Sequence, residues 1–539
     1  MTSRTATEGG IVIDKTSLLP QTLVEKVDRG RPHAEVADGA IHKLGVTMHK
    51  KNRVRRIAIV GALIGTGALL TQYAPSVAAA KALSAPVFVG KTVASAKQGK
   101  AFTFRMKTKA NPKSDVSLTT PLPPGVSFTD NHNGTATLSD PTPLAGSYSV
   151  GLAATNTTQQ LNTTTETLTV NVTSKLPVIR HVFEIMLENN GYSATFGNPS
   201  ADPYLATTLP GKGAMLQNYY GTGHFSNDNY IASVSGQPPN SKTQLDCSTY
   251  SEFLPLEGQV GGIQQGAGCV YPAAVKTVAD QLSSEGLTWK GYMEDMGNDP
   301  TRDGGVTCAH PASGAPDSAF SAEAADGYAT RHNPFVYFHS ITDNTTTCNT
   351  NVVPLGGTTG TMPAGTPAGV TGLVSDLASI ATTPSFSFIT PNLCDDGHDS
   401  SPCTNTTGAG VGHGSSVADT DAWLKAWVPL ILASPAFQKD GLLEITFDEG
   451  EQPSLDTTAC CGETPGPAAV AGGNGISGPG GGKVGAVLIS PFIAGGTVVT
   501  KTSYNHYSSL ASIEDLFGLP HLGEAQTVTT TFDKHIYTK

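Results

Sequence analysis

The rhythm of apolar and polar positions changes near residue 174. From about 84 to 173, short runs alternate the two classes at 101–106, 135–138, 148–152 and 167–172. Pro123-Pro124-Gly125 and Asn133-Gly134 separate these runs. Period-two runs between turn formers predict a small antiparallel β-sandwich over 84–173. Beyond Lys175, apolar blocks of strand length recur at 178–187, 287–293, 335–341, 386–392, 441–447 and 484–490. Amphipathic stretches at 273–285, 419–433 and 509–516 lie between or after them. This alternation predicts an α/β domain over 175–539, a largely parallel sheet flanked by helices.

Ahead of both regions, Lys50, Lys51, Arg53, Arg55 and Arg56 precede the run 57–70, IAIVGALIGTGALL, which leads to Ala78-Ala79-Ala80. Basic stretch, apolar core and small-residue exit follow the order of a secretory signal peptide. The apolar core, about 14 residues, is shorter than the roughly 20 that a spanning helix needs. An uncleaved membrane anchor over 57–79 is the alternative to export by residues 48–80. Met48 sits just before the basic cluster, so residues 1–47 are either an extension or an artefact of start-site choice.

Composition then narrows the classes. Only 14% of the 539 residues are charged and 38% are apolar, which excludes a largely disordered chain. The formal net charge of −11 argues against a nucleic-acid partner. All eight cysteines fall between Cys247 and Cys461. That suggests disulfides in an oxidising compartment, paired by proximity as Cys247–Cys269, Cys308–Cys348 and Cys394–Cys403, with Cys460-Cys461 left as neighbours.

In open α/β sheets the chemistry sits beyond the carboxyl ends of the strands. There, 178–187 runs into Glu188-Asn189, 441–447 into Asp448-Glu449, and 386–392 ends at Asn392 before Asp395, Asp396 and His398. Clustered carboxylates repel unless a cation or protons neutralise them, and oxygen-rich sets suit hard divalent ions. Ordinary acidic loops are the alternative for any one pair. Ser226, in GHFSNDNY, is either a helix N-cap or a nucleophile at a helix start. The aromatics Trp289, Tyr292, Trp423 and Trp427 line a cleft or, for the last two at helical spacing, pack the core.

The ordered set Leu187-Glu188-Asn189, His224-x-Ser226-x-x-Asn229-Tyr230, Thr446-Phe447-Asp448-Glu449 and His506-Tyr507-Ser508-Ser509 to Glu514-Asp515 resembles the bacterial phosphoesterase family. That family holds acid phosphatases and phospholipases C, within the alkaline phosphatase superfamily, and the likeness covers about 178–522. It implies an alkaline-phosphatase-like sheet, a divalent metal ion and Ser226 as nucleophile. It also implies Glu188, Asn189, Asp448 and Glu449 as metal ligands, Asn229 on a phosphate oxygen and His506 in the site. Asn392 and His398 fall where two-metal relatives place a carboxylate and a histidine. The amide at 392 departs from that pattern, and Asp395 or Asp396 would substitute. His506, His398 or His224 would protonate the leaving group; His310, His332 and His339 are weaker candidates. Residues 122–156 resemble an immunoglobulin-like repeat of bacterial surface and secreted proteins, which implies spacing or adhesion.

The expected function is that of a secreted, metal-dependent phosphomonoesterase acting through a Ser226 phosphoserine on a small phosphate ester. Phospholipase C action on a phospholipid, with membrane or cell-surface association, is the runner-up. A surface adhesion protein with an inactive hydrolase-like domain is the alternative of another class.

Overall fold

The computed structural model describes residues 82–123, 125–156, 162–398, 416–451, 454–467 and 479–539. The expected extension, signal peptide and 57–79 anchor lie outside the described residues. Among the described residues no helix is long and apolar enough to cross a membrane.

Residues 84–173 form two four-stranded sheets. One orders Ser84–Val89, Phe102–Asn111, Thr135–Asp140 and Ser127–Asp130; the other orders Val93–Lys97, Asn162–Thr173, Gly146–Asn156 and Asp115–Leu118. Alternation drives the pairing: along Thr135–Asp140 every second residue is buried. Ala136, Leu138, Val150, Leu152 and Leu168 fill the space between the sheets.

Residues 79–539 form one compact unit, so the sandwich packs on the α/β region. Gln98 Nε2 donates to the carbonyls of Asp515 and Leu516 at 2.8 and 2.7 Å. These are last-turn carbonyls of the helix His506–Phe517, which lack partners within the helix.

The α/β region is built on an eight-stranded sheet. Its order is Val352–Pro354, Trp289–Met293, Phe386–Thr390, His181–Leu187, Gly441–Phe447, Ala486–Ile489, Ala214–Leu216 and Thr497–Val499. Only Ala486–Ile489 runs against its neighbours. The central strands His181–Leu187 and Gly441–Phe447 are buried at every position, as continuous apolar runs predict for strands covered on both faces.

The 335–341 block is not a strand. Pro334–Tyr337 and His339–Thr342 are short helical turns, with Phe335, Val336, Tyr337 and Phe338 all buried. The run is apolar because it packs from several sides, and periodicity alone does not separate that case from a strand. The 273–285 stretch is helical only over Val278–Ser284, where Thr277 and Asp280 form a capping box. Trp423 and Trp427 are buried with ring centroids 5.9 Å apart, and Trp289 and Tyr292 are buried too. Disulfides join Cys247–Cys269, Cys308–Cys348 and the neighbours Cys460–Cys461. Cys394 is disulfide-bonded, while Cys403 lies outside the described residues.

Candidate active site

Register assembles the carboxylates. Leu187 pairs with Phe447 in the two central parallel strands, so Glu188 and Asp448 leave the sheet at the same level. Asp448 Oδ1 accepts the Asn189 and Glu449 amides at 2.7 and 2.6 Å, which clamps the two strand ends together. Glu188, Asp448 and Glu449 each offer an oxygen within 4.8 Å of the others, and all three are buried. Burial, then the charges of Glu188 and Glu449, push the Asp448 carboxyl well above the usual range. Burial likewise pushes Glu449 up to about 7, against the hydrogen bond and charge of His224. Three anionic groups in so small a buried volume suit a divalent cation.

Ser226 opens the helix Ser226–Ser235 and donates from its hydroxyl to Glu188 Oε1. The preceding Phe225 has φ +76°, outside the ordinary range for a bulky residue. Such strain persists only where surroundings over-determine it, and it is common at functional sites. Here the over-determining residue is Asn229. Its Oδ1 accepts Thr222 N, Thr222 Oγ1 and Gly223 N at 2.7–3.2 Å, and its Nδ2 donates to the Gly223 and Phe225 carbonyls at 3.1 Å. The Asn229 amide thus holds the loop that presents Ser226. Past Ser235, Gly236 stops the helix in the left-handed region at φ +68°.

The histidines divide by what their ring nitrogens meet. His224 faces Glu449 with Nδ1 and the Asp456 carbonyl with Nε2 at 2.9 Å. Burial alone would lower its pKa, but the Glu449 hydrogen bond and charge raise it. His506 is fully buried between Tyr219 OH, 3.2 Å from Nδ1, and the Asp448 carbonyl, 2.7 Å from Nε2. Burial depresses its pKa to about 4. His398 is the half-exposed one: 28% of its side chain meets solvent, and Nδ1 lies 3.8 Å from Glu188.

His332 carries the contact that sequence reasoning underrated. Its Nε2 lies 3.2 Å from Glu188 Oε2, and its ring stacks on Tyr230 at 4.9 Å. Nδ1 faces Asp396 at 3.9 Å. The signal in the sequence was its place just before the buried aromatic run 335–338. His310 and His339 lie elsewhere, against Tyr250 and between Glu252 and Asp343.

Asn189 uses its amide on Glu451 at 2.9 Å and meets His398 at 3.3 Å. Asp396 joins the site through its backbone carbonyl, which accepts Glu188 N at 3.0 Å, and through its carboxylate, which accepts His398 N at 3.0 Å. Asn392 is one neighbour away. Its Oδ1 accepts Cys394 N and Asp395 N, and its Nδ2 donates to Asp295 at 2.7 Å, so it shapes the turn after its strand. Glu294 and Asp295 follow the strand Trp289–Met293, and the strand-end rule applied there would have found them. Glu294 Oε2 accepts Asn392 N and Trp423 Nε1 at 3.0 and 2.8 Å.

A probable acid phosphatase of Kluyveromyces lactis is 25% identical over 348 residues, covering 64% of this chain and 59% of the relative. A phosphate-repressible acid phosphatase of Penicillium chrysogenum is also 25% identical, covering 63% and 59%. The chain thus spans about three fifths of the length of these relatives. A phosphatidylinositol-3-phosphatase of Mycobacterium tuberculosis is 24% identical, covering 65% of this chain and 81% of the relative. A solved structure from Vibrio parahaemolyticus, of the alkaline phosphatase superfamily, is 14% identical, covers 66% of this chain and 74% of its own, and has a TM-score of 0.35. The sequence profile of the Phosphoesterase family matches residues 201–520, from before the Ser226 helix to beyond the His506 helix, and the chain belongs to that family.

Proposed function

We propose that the protein is a phosphoric-ester hydrolase acting as a phosphomonoesterase through a Ser226 phosphoserine. The observation that carries this is the hydrogen bond from Ser226, at a strained helix start, to Glu188 inside a buried three-carboxylate cluster. The phosphatase names of its relatives support removal of phosphate over cleavage of a phospholipid headgroup. The disulfides fit an exported protein in an oxidising compartment.

Glu188, Asp448 and Glu449 would hold a divalent ion, whose charge would lower the Ser226 pKa and screen the phosphate when bound. The chain's own groups handle the protons. Ser226 Oγ forms a bond to phosphorus as the ester P–O bond breaks, and its proton passes to Glu188 Oε1, which it already contacts. His398 is half-exposed beside Glu188 and gives a proton to the leaving alkoxide. Water then attacks the phosphoserine and returns a proton to His398, and Glu188 returns the proton to Ser226. His224 and His506 have both ring nitrogens engaged and serve as positioning residues.

The test is phosphate release from p-nitrophenyl phosphate, with phosphocholine release from phosphatidylcholine as the other arm. Acid-quenched wild type should carry phosphate on Ser226. Full activity in Ser226→Ala overturns the nucleophile, and unchanged activity after exhaustive chelation overturns the metal.

A further inference from the structure

Glu188 is met from both sides. Its Oε1 accepts the Ser226 hydroxyl, and its Oε2 lies 3.2 Å from His332 Nε2. The two partners come from distant parts of the chain. Ser226 opens a helix of ten residues, whereas His332 ends the three-residue turn Thr330–His332. So short a turn does not hold its place by its own hydrogen bonds. Something outside it must set where the imidazole stands relative to the serine.

The residue after the serine supplies the tie. Asn227 is fully buried, and its Nδ2 donates to the Arg331 carbonyl at 3.1 Å. Its backbone N–H, a first-turn donor with no acceptor in its own helix, donates to Asp246 Oδ1 at 3.0 Å. Asp246 Oδ2 in turn lies 4.0 Å from Arg331 Nε, and the Cys247–Cys269 disulfide anchors the next residue. One turn along the helix, Tyr230 stacks on the His332 ring with centroids 4.9 Å apart. Asparagine at a helix start ordinarily caps its own helix. Here the cap position is Phe225, without a side-chain cap bond, and the Asn227 amide reaches a residue 104 positions away. A leucine of similar volume would fill the same space with no amide to satisfy, so the amide specifies where the His332 turn docks.

We propose that Asn227 is a positioning residue of the hydrolytic site: it docks the His332 turn on the nucleophile helix, so that Ser226 and His332 fix the two oxygens of Glu188 together. The contacts close a circuit. Ser226 meets Glu188, Glu188 meets His332, the Arg331 carbonyl next to His332 meets Asn227, and one peptide bond returns from Asn227 to Ser226. Glu188 Oε1 takes the serine proton, and such a transfer needs its oxygen held within hydrogen-bond reach. Opening the circuit at Asn227 frees the imidazole and with it the outer edge of Glu188. The link to hydrolysis rests on the phosphomonoesterase reading; the placement of His332 by Asn227 does not.

The experiment is a double-mutant cycle of Asn227→Ala and His332→Gln on p-nitrophenyl phosphate, with NMR spectra of the same proteins carrying isotope-labelled histidine. Asn227→Ala should lower kcat about tenfold with KM little changed. On the His332→Gln background it should cost less than about twofold, because residues that act through one another do not add. The His332 ring resonance, identified by its absence from His332→Gln, should shift in Asn227→Ala. Losses in kcat that multiply in the double variant overturn the proposal. So does an Asn227→Ala protein that melts earlier yet keeps the wild-type kcat, or a His332 resonance that does not move. Should Asn227→Ala fail to fold, Asn227→Ser, whose shorter side chain stops short of the Arg331 carbonyl, takes its place in the cycle. A wild type without phosphatase activity sinks the function reading alone, because the resonance still reports whether Asn227 places the ring.

Discussion

Two carboxylate clusters lie four residues apart along the same two strands, and they are neutralised differently. At the strand ends, Glu188, Asp448 and Glu449 converge next to a serine hydroxyl and the ring of His332. Four residues back, Glu444 accepts the Ser509 hydroxyl at 2.6 Å and faces Glu184, neither of whose oxygens has a hydrogen-bond partner. Burial is the same in both places, so the partners decide the chemistry. The outer cluster converges several oxygens on one point beside a half-exposed histidine, as a cation needs. The inner pair has no such convergence, and burial shifts both carboxyls toward their protonated forms. Similar residues on one pair of strands thus give a candidate metal centre and a buried carboxyl pair.

The sharpest way to break this contrast is to act on the outer cluster alone. Ser226→Ala should reduce kcat by about a millionfold, as removing a nucleophile does elsewhere. Exhaustive chelation should cause a similar loss that added divalent ion restores. Activity left intact by chelation would remove the metal ion from the outer cluster. Next in size is His332→Gln, which removes the ring beside Glu188. A loss of about ten- to a hundredfold in kcat or metal affinity, read by activity and by metal titration, is expected.

The inner pair predicts a pH dependence of opposite origin. Burial pushes Glu444 up to about 7 from an ordinary 4.5, opposed by the hydrogen bond from Ser509. A raised folded-state pKa gives stability that is whole below the unfolded value and is lost as pH rises through the folded one. Wild type should therefore lose on the order of 3 kcal/mol relative to Glu444→Gln as pH climbs from about 4.5 to about 7. Denaturant melts of the two proteins at both pH values check this. A constant difference across that range would mean that Glu444 is not the group that titrates.

The outer cluster was legible in the sequence and the inner pair was not. Glu188 and Asp448-Glu449 stand where an apolar run stops, so the strand-end rule marks them. Glu184 and Glu444 sit inside such runs, HVFEIML and LLEITF, and become a pair only through a register that pattern does not reveal. Ser226 read locally as a cap, and only the order of motifs raised it. His332 stood among the weaker candidates, and helical turns over 330–332 and 334–337 deliver its ring to Glu188, a contact that pattern alone does not reveal. Asn229 and Asn392 were legible as positions, but their amides are spent on backbone groups and on Asp295, contacts invisible without the loops that make them.

The smallest expected effect comes from the sandwich. Gln98 caps two carbonyls at the end of the helix whose first residue is His506 and whose fourth is Ser509, so one helix serves both clusters. Gln98→Ala removes two hydrogen bonds at a partly buried edge, each contributing about 0.5–1.5 kcal/mol net. Water replaces part of that, so a loss of about 1 kcal/mol is expected, seen as a lower midpoint in denaturant with an unchanged slope. The cap lies about three helical turns from His506, and the Tyr219 and Asp448 contacts hold the ring independently of it. Gln98→Ala should therefore leave kcat and its pH profile as they are. A fall in kcat of about tenfold would instead make the sandwich part of the catalytic framework and erase the independence of the two ends of this helix.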